Sequence, residues 1–279
     1  MNLVNQYKRG DLSTEELIRQ LNQVYISKEH KRELSSGQKG LWMLHKLYPN
    51  STAYHIPICF TVHKRMEVQI LRQAFSYLEQ QYPIIKVVIE EEDGVPYQVI
   101  SPDWKLFLEE MTVEGISKEQ LLTKIKGKAK EPFDLNKGPL MKVYVYQQKG
   151  SSTVMILVHH IIFDGMSIEI FLDSLLRFYY DLEHKKQVSI ENMPVSFFDY
   201  VDWERQMING KRGKEHLEYW KKQLSGDLPV LELPMDYKRK VGVPQQGRTE
   251  KIEISKQITD EVCQYAKKQK ITLSAFFLG

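Results

Sequence analysis

The sequence is poor in cysteine, and it contains neither a long apolar run nor a strong excess of charge of one sign. Its two cysteines, Cys59 and Cys263, lie far apart, so they form neither a disulfide framework nor a metal-ligand cluster. Cys59 lies in the apolar run IPICF and is predicted to be a small core residue. No stretch approaches the roughly 18 apolar residues of a membrane-spanning helix, and the N-terminal segment has no apolar signal region. We therefore expect a cytoplasmic protein without a membrane partner.

The charge balance argues against a nucleic-acid partner. The chain has 39 Lys and Arg residues against 36 Asp and Glu residues, which gives a formal net charge of +3. The basic runs at 238–240 and 267–268 are short, and short runs are typical of a solvated surface. A nucleic-acid binder would instead concentrate its basic residues on one face.

The pattern of apolar residues divides the chain into three parts, 1–34, 35–190 and 191–279. Strands and helices alternate through the second part, which is typical of a mixed α/β lobe. Its predicted elements are a helix over 35–48, a strand over 54–63, a helix over 68–81, strands meeting at Asp93-Gly94, a helix over 117–131, a hairpin turning near Lys149-Gly150 and a helix over 167–182 capped by Ser167. The third part contains aromatic-rich helices, a loop rich in Pro and Gly, a strand over 249–254 and a further helix.

The first part contains a predicted helix over 11–26, in which Ser13 and Glu16 have the spacing of a capping box. A polar link separates this helix from the lobe that follows. Two interpretations stay open. The helix either packs on its own domain or docks in a groove of another polypeptide.

The segment VHHIIFDGMS ends an apolar strand on two titratable rings. Side chains alternate across a strand, so His159 and His160 are predicted to point to opposite sides, one toward a cleft and one toward the backbone that it braces. Histidine suits proton transfer near neutral pH. Asp164 is placed to hold the turn. Gly165 allows a turn without a Cβ and leaves a backbone N–H free for a substrate.

Taken alone, the histidine pair is also compatible with a strand end that has no chemistry. Metal binding is not indicated, because the nearest other histidine in the downstream sequence is His184 and no cysteine lies near. A serine nucleophile is not indicated either, since the chain has no G-x-S-x-G motif.

Five motifs in one order resemble the condensation domains of nonribosomal peptide synthetases. The segment at 159–167 matches the family's HHxxxDGxS. The other four are LSSGQKGLWML with Ser36, Gln38, Leu41, Trp42 and Leu44, EPFDLNKGPL with Pro132, Phe133, Asp134, Leu135, Gly138, Pro139 and Leu140, FFDYVDWERQ, and YWKKQLSGDLPVLELPMD. Together they cover nearly the whole chain after residue 34.

The resemblance implies an α/β fold (two-layer α+β) in which two lobes, each similar to chloramphenicol acetyltransferase, form a V with a tunnel between them. It implies an amide-forming acyltransferase without a directly bound cofactor or metal, whose substrates ride on phosphopantetheine arms. The donor carrier protein brings an acyl or peptidyl thioester, and the acceptor carrier protein brings an aminoacyl thioester. Neighbouring adenylation or ketosynthase domains are the further expected partners.

The resemblance also assigns roles at the motif. His160 takes the position of the family's catalytic histidine, and His159 takes that of the supporting one. Asp164 is a structural residue, and Gly165 lies close to the reacting groups. Whether His160 acts as a base or positions the amine stays open, because a free α-amine with a pKa of about 7.7–8.0 is already partly neutral near pH 7–8.

One departure concerns the family's motif H-x-x-L-R-T. Here Tyr82, Ile85, Lys86 and Val87 take those places. In related folds an arginine pairs with the motif aspartate, so Lys86 is predicted to form a buried or half-buried ion pair with Asp164. Lysine keeps the charge but lacks the planar bidentate fork.

A second departure is that the family continues well past residue 279, through most of a second lobe. We therefore expect an incomplete second lobe, and we expect the 279-residue chain to fold without catalysing condensation. Three functions remain open: condensation, epimerisation of a carrier-bound residue, and a non-catalytic module that docks carriers. A heterocyclisation domain is disfavoured because that relative uses D-x-x-x-x-D where this chain has two histidines.

Overall fold

The computed structural model describes residues 31–191, 193, 195–230, 234–237 and 251–278. The predicted helix over 11–26 lies outside the described residues. The chain divides into two compact units, Met1–Glu232 and Leu233–Gly279. The predicted boundary at residue 190 therefore lies inside the first unit.

The first unit contains two sheets. Its strands are β1 (Lys31–Glu33), β2 (His55–Val62), β3 (Val87–Glu92), β4 (Val95–Ile100), β5 (Phe107–Thr112), β6 (Met141–Gln148) and β7 (Ser151–His159). The larger sheet has the order β2-β7-β6-β5, with β5 parallel to β6 and the other pairs antiparallel. The smaller sheet has the order β1-β4-β3. The predicted strand pair is confirmed, and Asp93 and Gly94 turn between its strands with φ of 50° and 78°, as a two-residue hairpin requires.

Helices cover both faces of the larger sheet. The helices of this unit are α1 (Ser36–Leu47), α2 (Val68–Gln81), α3 (Lys118–Ala129), α4 (Gly165–Glu183), α5 (Phe197–Asn209) and α6 (Lys211–Gln223). Lys128 in α3 pairs with Glu109 of β5, which places α3 over one face. Gln147 in β6 donates to the carbonyl of Met66, just before α2, and α2 packs against α4 over the other face. The predicted mixed α/β lobe is confirmed.

The hydrophobic core lies between the larger sheet and the helices that cover it. Val143, Val145 and Ile156 of the central strands are fully buried, as are Leu71 of α2 and Phe178 of α4. Cys59 departs from its prediction as a core residue. It is exposed on β2, because β2 is an edge strand and its residues alternate between the core and the surface.

Strand β1 falls in the segment predicted to be a polar link. Lys31, Arg32 and Glu33 show no apolar alternation, but all three pair in register with residues of β4. The Nζ of Lys31 lies 2.6 Å from Glu92 and 3.7 Å from Glu90 of β3. Pairing at a sheet edge, with cross-strand charges, therefore forms this strand without an apolar pattern.

Helix α5 is attached to the same segment by charged groups. Arg32 lies 3.3 Å from Asp202, and Arg205 lies 3.3 Å from Glu33. The Glu204 carboxylate also accepts a 2.8 Å hydrogen bond from the backbone N–H of Ser36, at the start of α1. These contacts explain why the aromatic-rich helices after residue 190 belong to the first unit.

The second unit contains two described helices, α7 (Lys256–Gln269) and α8 (Leu273–Leu278). Tyr265 of α7 packs its ring 5.8 Å from that of Phe276 in α8. The strand predicted over 249–254 is wrong for residues 251–254, which are in no regular element. A strand needs hydrogen bonds from a neighbouring strand, and the described residues of this unit provide no such neighbour.

Candidate active site

Strand β7 ends at His159, and the chain then makes a short 3-10 turn over His160–Ile162. The His159 side chain is 3% exposed, whereas His160 is exposed. The predicted placement of the two rings on opposite sides is therefore confirmed. The ring of His160 meets the ring of Tyr54 edge to face, with 6.4 Å between their centroids.

Three hydrogen bonds fix the backbone of this turn. The His160 N–H donates to the carbonyl of Tyr54 at 2.8 Å. The Ile161 N–H donates to Nδ1 of His159 at 3.1 Å, and the Ile161 carbonyl accepts from Nε2 of Gln38 at 3.0 Å. The turn is thus held by its own preceding residue, by the segment before β2 and by α1.

Gln38 is buried and belongs to a hydrogen-bond network that reaches the smaller sheet. Its Nε2 also lies 3.4 Å from Oε1 of Gln98 in β4, and the Gln98 Nε2 donates to the Glu33 carbonyl at 2.8 Å. The Oε1 of Gln38 accepts from the backbone N–H of Ser35, which caps α1. Because the amides are buried and bonded, they hold the start of α1 and the turn in one fixed relation.

Burial lowers the pKa of His159 to about 3, with smaller contributions from the charges of His55, His45 and His160. The ring is therefore neutral at physiological pH. Since Nδ1 accepts a hydrogen bond from the Ile161 N–H, the ring proton is on Nε2. The second ring of the motif, His160, is the one left facing solvent.

His160 lies in an open cleft of about 730 Å³ within the first unit. The cleft is also lined by Gln38 of α1, by Asp164, and by Tyr200 and Glu204 of α5. Among the described residues, no group of three or more His, Cys, Asp or Glu side chains is arranged to hold a metal ion. The described side chains that line the cleft can take part in proton transfer and hydrogen bonding.

Asp164, and not Ser167, is the N-cap of α4. Its carboxylate accepts from the Ser167 N–H at 2.8 Å and from the Ser167 hydroxyl at 2.6 Å, while the Asp164 N–H donates to that hydroxyl. These bonds hold the pKa of Asp164 below its usual range, and the charge of His160 acts in the same direction. The helix thus begins at Gly165, two residues before the predicted start.

The predicted ion pair between Asp164 and Lys86 is wrong. Asp164 is exposed at the start of α4, and no salt bridge joins it to Lys86 in the part of the chain that the structure describes. Lys86 ends the 3-10 turn Pro83–Lys86, and its charge instead lowers the pKa of Glu79, a carboxyl whose net pKa is raised by burial. The hydrogen bonds from Ser167 stabilise the Asp164 charge without an ion pair to Lys86.

Gly165 is not required by the turn. Its φ is not positive, and a Cβ built on it would meet no other atom within 4 Å. Among the described residues, no packing at the first residue of α4 excludes a side chain there.

A family model for the condensation domain matches residues 28–279. The chain belongs to the condensation-domain family. This match agrees with the ordered motifs and does not favour the epimerisation alternative.

The condensation domain has relatives among multidomain synthases. It is 35% identical over 254 residues to the polyketide synthase PksN of Bacillus subtilis, a match that covers 91% of this chain and 5% of PksN. It is 32% identical over 222 residues to one of the linear gramicidin synthase proteins of Brevibacillus parabrevis, a match that covers 77% of this chain and 4% of that protein. The chain therefore spans a small part of these curated relatives.

Solved condensation-domain structures have the same fold as this domain. The four-domain nonribosomal peptide synthetase AB3403 matches with a TM-score of 0.75 and 22% identity, over 89% of this chain and 19% of that one. The starter condensation domain of the rhizomide synthetase RzmA matches with a TM-score of 0.63 and 18% identity, over 73% of this chain and 51% of that one. The chain thus spans about half of a solved condensation domain. The predicted chloramphenicol-acetyltransferase-like fold is confirmed.

The structure adds four residues to the site of this condensation domain that the sequence did not single out for it. Gln38 and Tyr54 bond the backbone of the 3-10 turn over His160–Ile162, and His45 and His55 pack against His159. Gln38 had a signal, because it belongs to the motif LSSGQKGLWML and a polar side chain has to find a partner once it is buried. Tyr54, His45 and His55 had no such signal in the sequence, because their role depends on which segments the fold brings together.

No described helix of the domain has the length and apolar character needed to cross a membrane.

We expect Asp164→Ala to lower the free energy of unfolding by about 1 kcal/mol, the usual cost of removing an N-cap side chain. A half-buried ion pair would cost about 3–5 kcal/mol instead. Urea unfolding of Asp164→Ala, Lys86→Met and the double variant measures the coupling between the two sites. We expect the two single effects to add within about 0.5 kcal/mol, and a coupling above about 1 kcal/mol would contradict the assignment.

Proposed function

We propose that this domain forms an amide bond between two carrier-bound substrates, with His160 at the reacting centre. The observation that carries the proposal is the exposed His160 ring, presented to the cleft by a turn whose backbone is hydrogen-bonded on three sides. Family membership supplies the reaction class. The donor is an acyl or peptidyl thioester and the acceptor is an aminoacyl thioester, each on a phosphopantetheine arm.

In the proposed reaction the acceptor amine attacks the donor carbonyl, and a C–N bond forms while the C–S bond breaks. The amine nitrogen loses one proton on forming the amide, and the departing thiolate gains one. His160 orients the amine and carries that proton between them, because histidine is suited to both steps near neutral pH. His159 and Asp164 do not touch substrate in this scheme, and they hold the turn and the start of α4.

The proposed partners are a donor carrier, an acceptor carrier and neighbouring adenylation or ketosynthase domains. Relatives named as a polyketide synthase and as a linear gramicidin synthase support a place in a peptide or hybrid assembly line, and cytoplasmic location is part of the same proposal. No directly bound cofactor or metal is required by the scheme, since the arms belong to the partners.

We further propose that the 279 residues alone do not condense substrates. Holding two thioester arms in near-attack geometry can supply roughly 7–11 kcal/mol of the barrier. The match covers 51% of a solved condensation domain, and by the family resemblance the tunnel for the two arms has walls from both lobes. The Gly165 end of α4 and the His160 ring are both exposed in the described part of the chain.

The test is a single-turnover assay with a loaded donor carrier and a loaded acceptor carrier, read by mass spectrometry of the carrier-bound products. The sample is this chain within the complete condensation domain, compared with residues 1–279 alone. We expect amide product from the complete condensation domain and none from residues 1–279 alone. An epimerised residue or no product from the complete domain would overturn the condensation proposal. Comparable turnover by residues 1–279 alone would overturn the proposal that these residues do not condense substrates. Carriers lacking the phosphopantetheine arm are the control.

A further inference from the structure

Three aromatic rings surround the buried ring of His159. Their centroids lie 6.1 Å away for His45, 6.2 Å for His55 and 5.8 Å for Phe133. All three meet the His159 ring steeply, at interplanar angles of 88°, 65° and 89°. Edge-to-face contacts of this kind are favourable, and the enclosed His159 residue is 3% exposed.

The three rings come from three different segments. His45 lies on α1, His55 begins β2, and Phe133 follows α3. The Nδ1 of His55 lies 2.9 Å from the Ala129 carbonyl at the end of α3, so Nδ1 is the donor and the His55 ring is fixed against its neighbours. His45 and His55 are half-buried, whereas His159 is buried.

The rings of His45, His55 and Phe133 form an enclosure around His159, and in the described part of the chain no carboxylate acts on His159. Lys142 of β6 acts on His55, and Asp134 and Lys46 act on His45. His160, the next residue along the chain, also acts on His159 in the lowering direction. Burial lowers the pKa of His45 and of His55, so the enclosing rings are neutral as well near pH 7.

We propose that His45 and His55 are positioning residues for condensation, and that their rings exclude water from His159 so that its Nδ1 stays free to accept the Ile161 N–H. That bond shapes the turn which presents His160. The two histidines act through His159 and do not touch substrate. The link to catalysis rests on the proposed function, whereas the enclosure itself can be measured without turnover.

Removing an enclosing ring and replacing it with another ring are expected to have different effects on the pKa of His159. His45→Ala or His55→Ala opens the site to water, so the pKa of His159 rises toward its usual value of about 6.5. Below that pH Nδ1 binds a proton and becomes a donor, and it can no longer accept from Ile161. His45→Phe and His55→Phe keep a ring in place without adding a charge, so His159 stays neutral.

The first experiment is an NMR titration of the chain labelled with ¹⁵N in its eight histidines, between pH 8 and pH 5. In the wild type and in both Phe variants we expect the His159 signals to stay those of the neutral Nε2–H tautomer over the whole range. In the Ala variants we expect His159 to titrate with a midpoint between pH 5 and pH 7. Signals of His159 that titrate near pH 6.5 in the wild type would overturn the proposal, whether or not the Ala variants fold.

The second experiment is the pH profile of single-turnover condensation in the complete domain. We expect the acid limb of the Ala variants to move to higher pH by about one unit or more, with the Phe variants unshifted and active at pH 7.5. A purely structural role would lower the rate at every pH without moving the limb, and this result would also overturn the proposal. The control is His184→Ala, an exposed histidine at the end of α4. If the wild type makes no amide while its His159 stays neutral, the proposed function fails and the enclosure stands.

Discussion

Replacing His160 with alanine lowers amide formation by roughly 10²-fold or more and leaves the fold intact. The large effect is expected because the side chain is the group that carries the proton in the proposed reaction. The fold is expected to survive because His160 contributes to the turn through its backbone. Its N–H bonds the Tyr54 carbonyl, and the other two bonds involve Ile161. An alanine keeps all three.

The measurement is the single-turnover rate of the complete domain with loaded carriers, together with urea unfolding of the same variant. His184→Ala is the matched control, because that ring is exposed and lies against the ring and the carbonyl of Tyr180 in its own helix, α4. The control is expected to condense at the wild-type rate. A His160→Ala variant that does the same would remove His160 from the reacting centre.

We expect acid to weaken the fold through His159, by about 2 kcal/mol between pH 7 and pH 5. The pKa of this histidine is about 3 in the folded protein and about 6.5 in an unfolded chain. Below pH 6.5 the unfolded state therefore binds a proton that the folded state does not. The contribution of His159 to stability is complete above pH 6.5 and is lost progressively as the pH falls toward 3.

Urea unfolding at a series of pH values, in the wild type and in His159→Asn, isolates this contribution. Asparagine does not titrate, and its side-chain oxygen can accept from the N–H two residues on, as Nδ1 of His159 does. We expect the loss between pH 7 and pH 5 to be about 2 kcal/mol smaller in His159→Asn. His184→Asn should retain the whole loss. Equal pH dependence in His159→Asn and the wild type would contradict a neutral, buried His159.

The elements with a strong local pattern were predictable from the sequence. The helix over 68–81 has its predicted bounds, because its apolar residues recur at helical spacing and become the buried face of α2. The predicted separation of His159 and His160 is right, but only His159 lies in β7. Alternation along the strand buries His159, and the 3-10 turn that follows exposes His160. The motif sequence was also sufficient to place His160 at a cleft.

Most of the wrong predictions concern features that depend on contacts between distant segments. Strand β1 has no apolar pattern, and it forms only because β4 offers an edge. The start of α4 was misplaced because Asp164 and Ser167 cap one another, so either residue matches the local signal. The pairing of Lys86 with Asp164 was predicted wrongly, because the sequence does not show that Asp164 faces solvent and accepts hydrogen bonds from Ser167.

The bonds that shape the catalytic turn have a consequence for protein engineering. A graft of HHIIFDG into another sheet would transfer the His159 acceptor together with the Asp164 residue that caps α4. It would leave behind the Tyr54 carbonyl and the Gln38 amide, which come from two segments more than 100 residues away along the chain. The transferable unit is therefore discontinuous, and it comprises the start of α1, the residue before β2 and the motif itself.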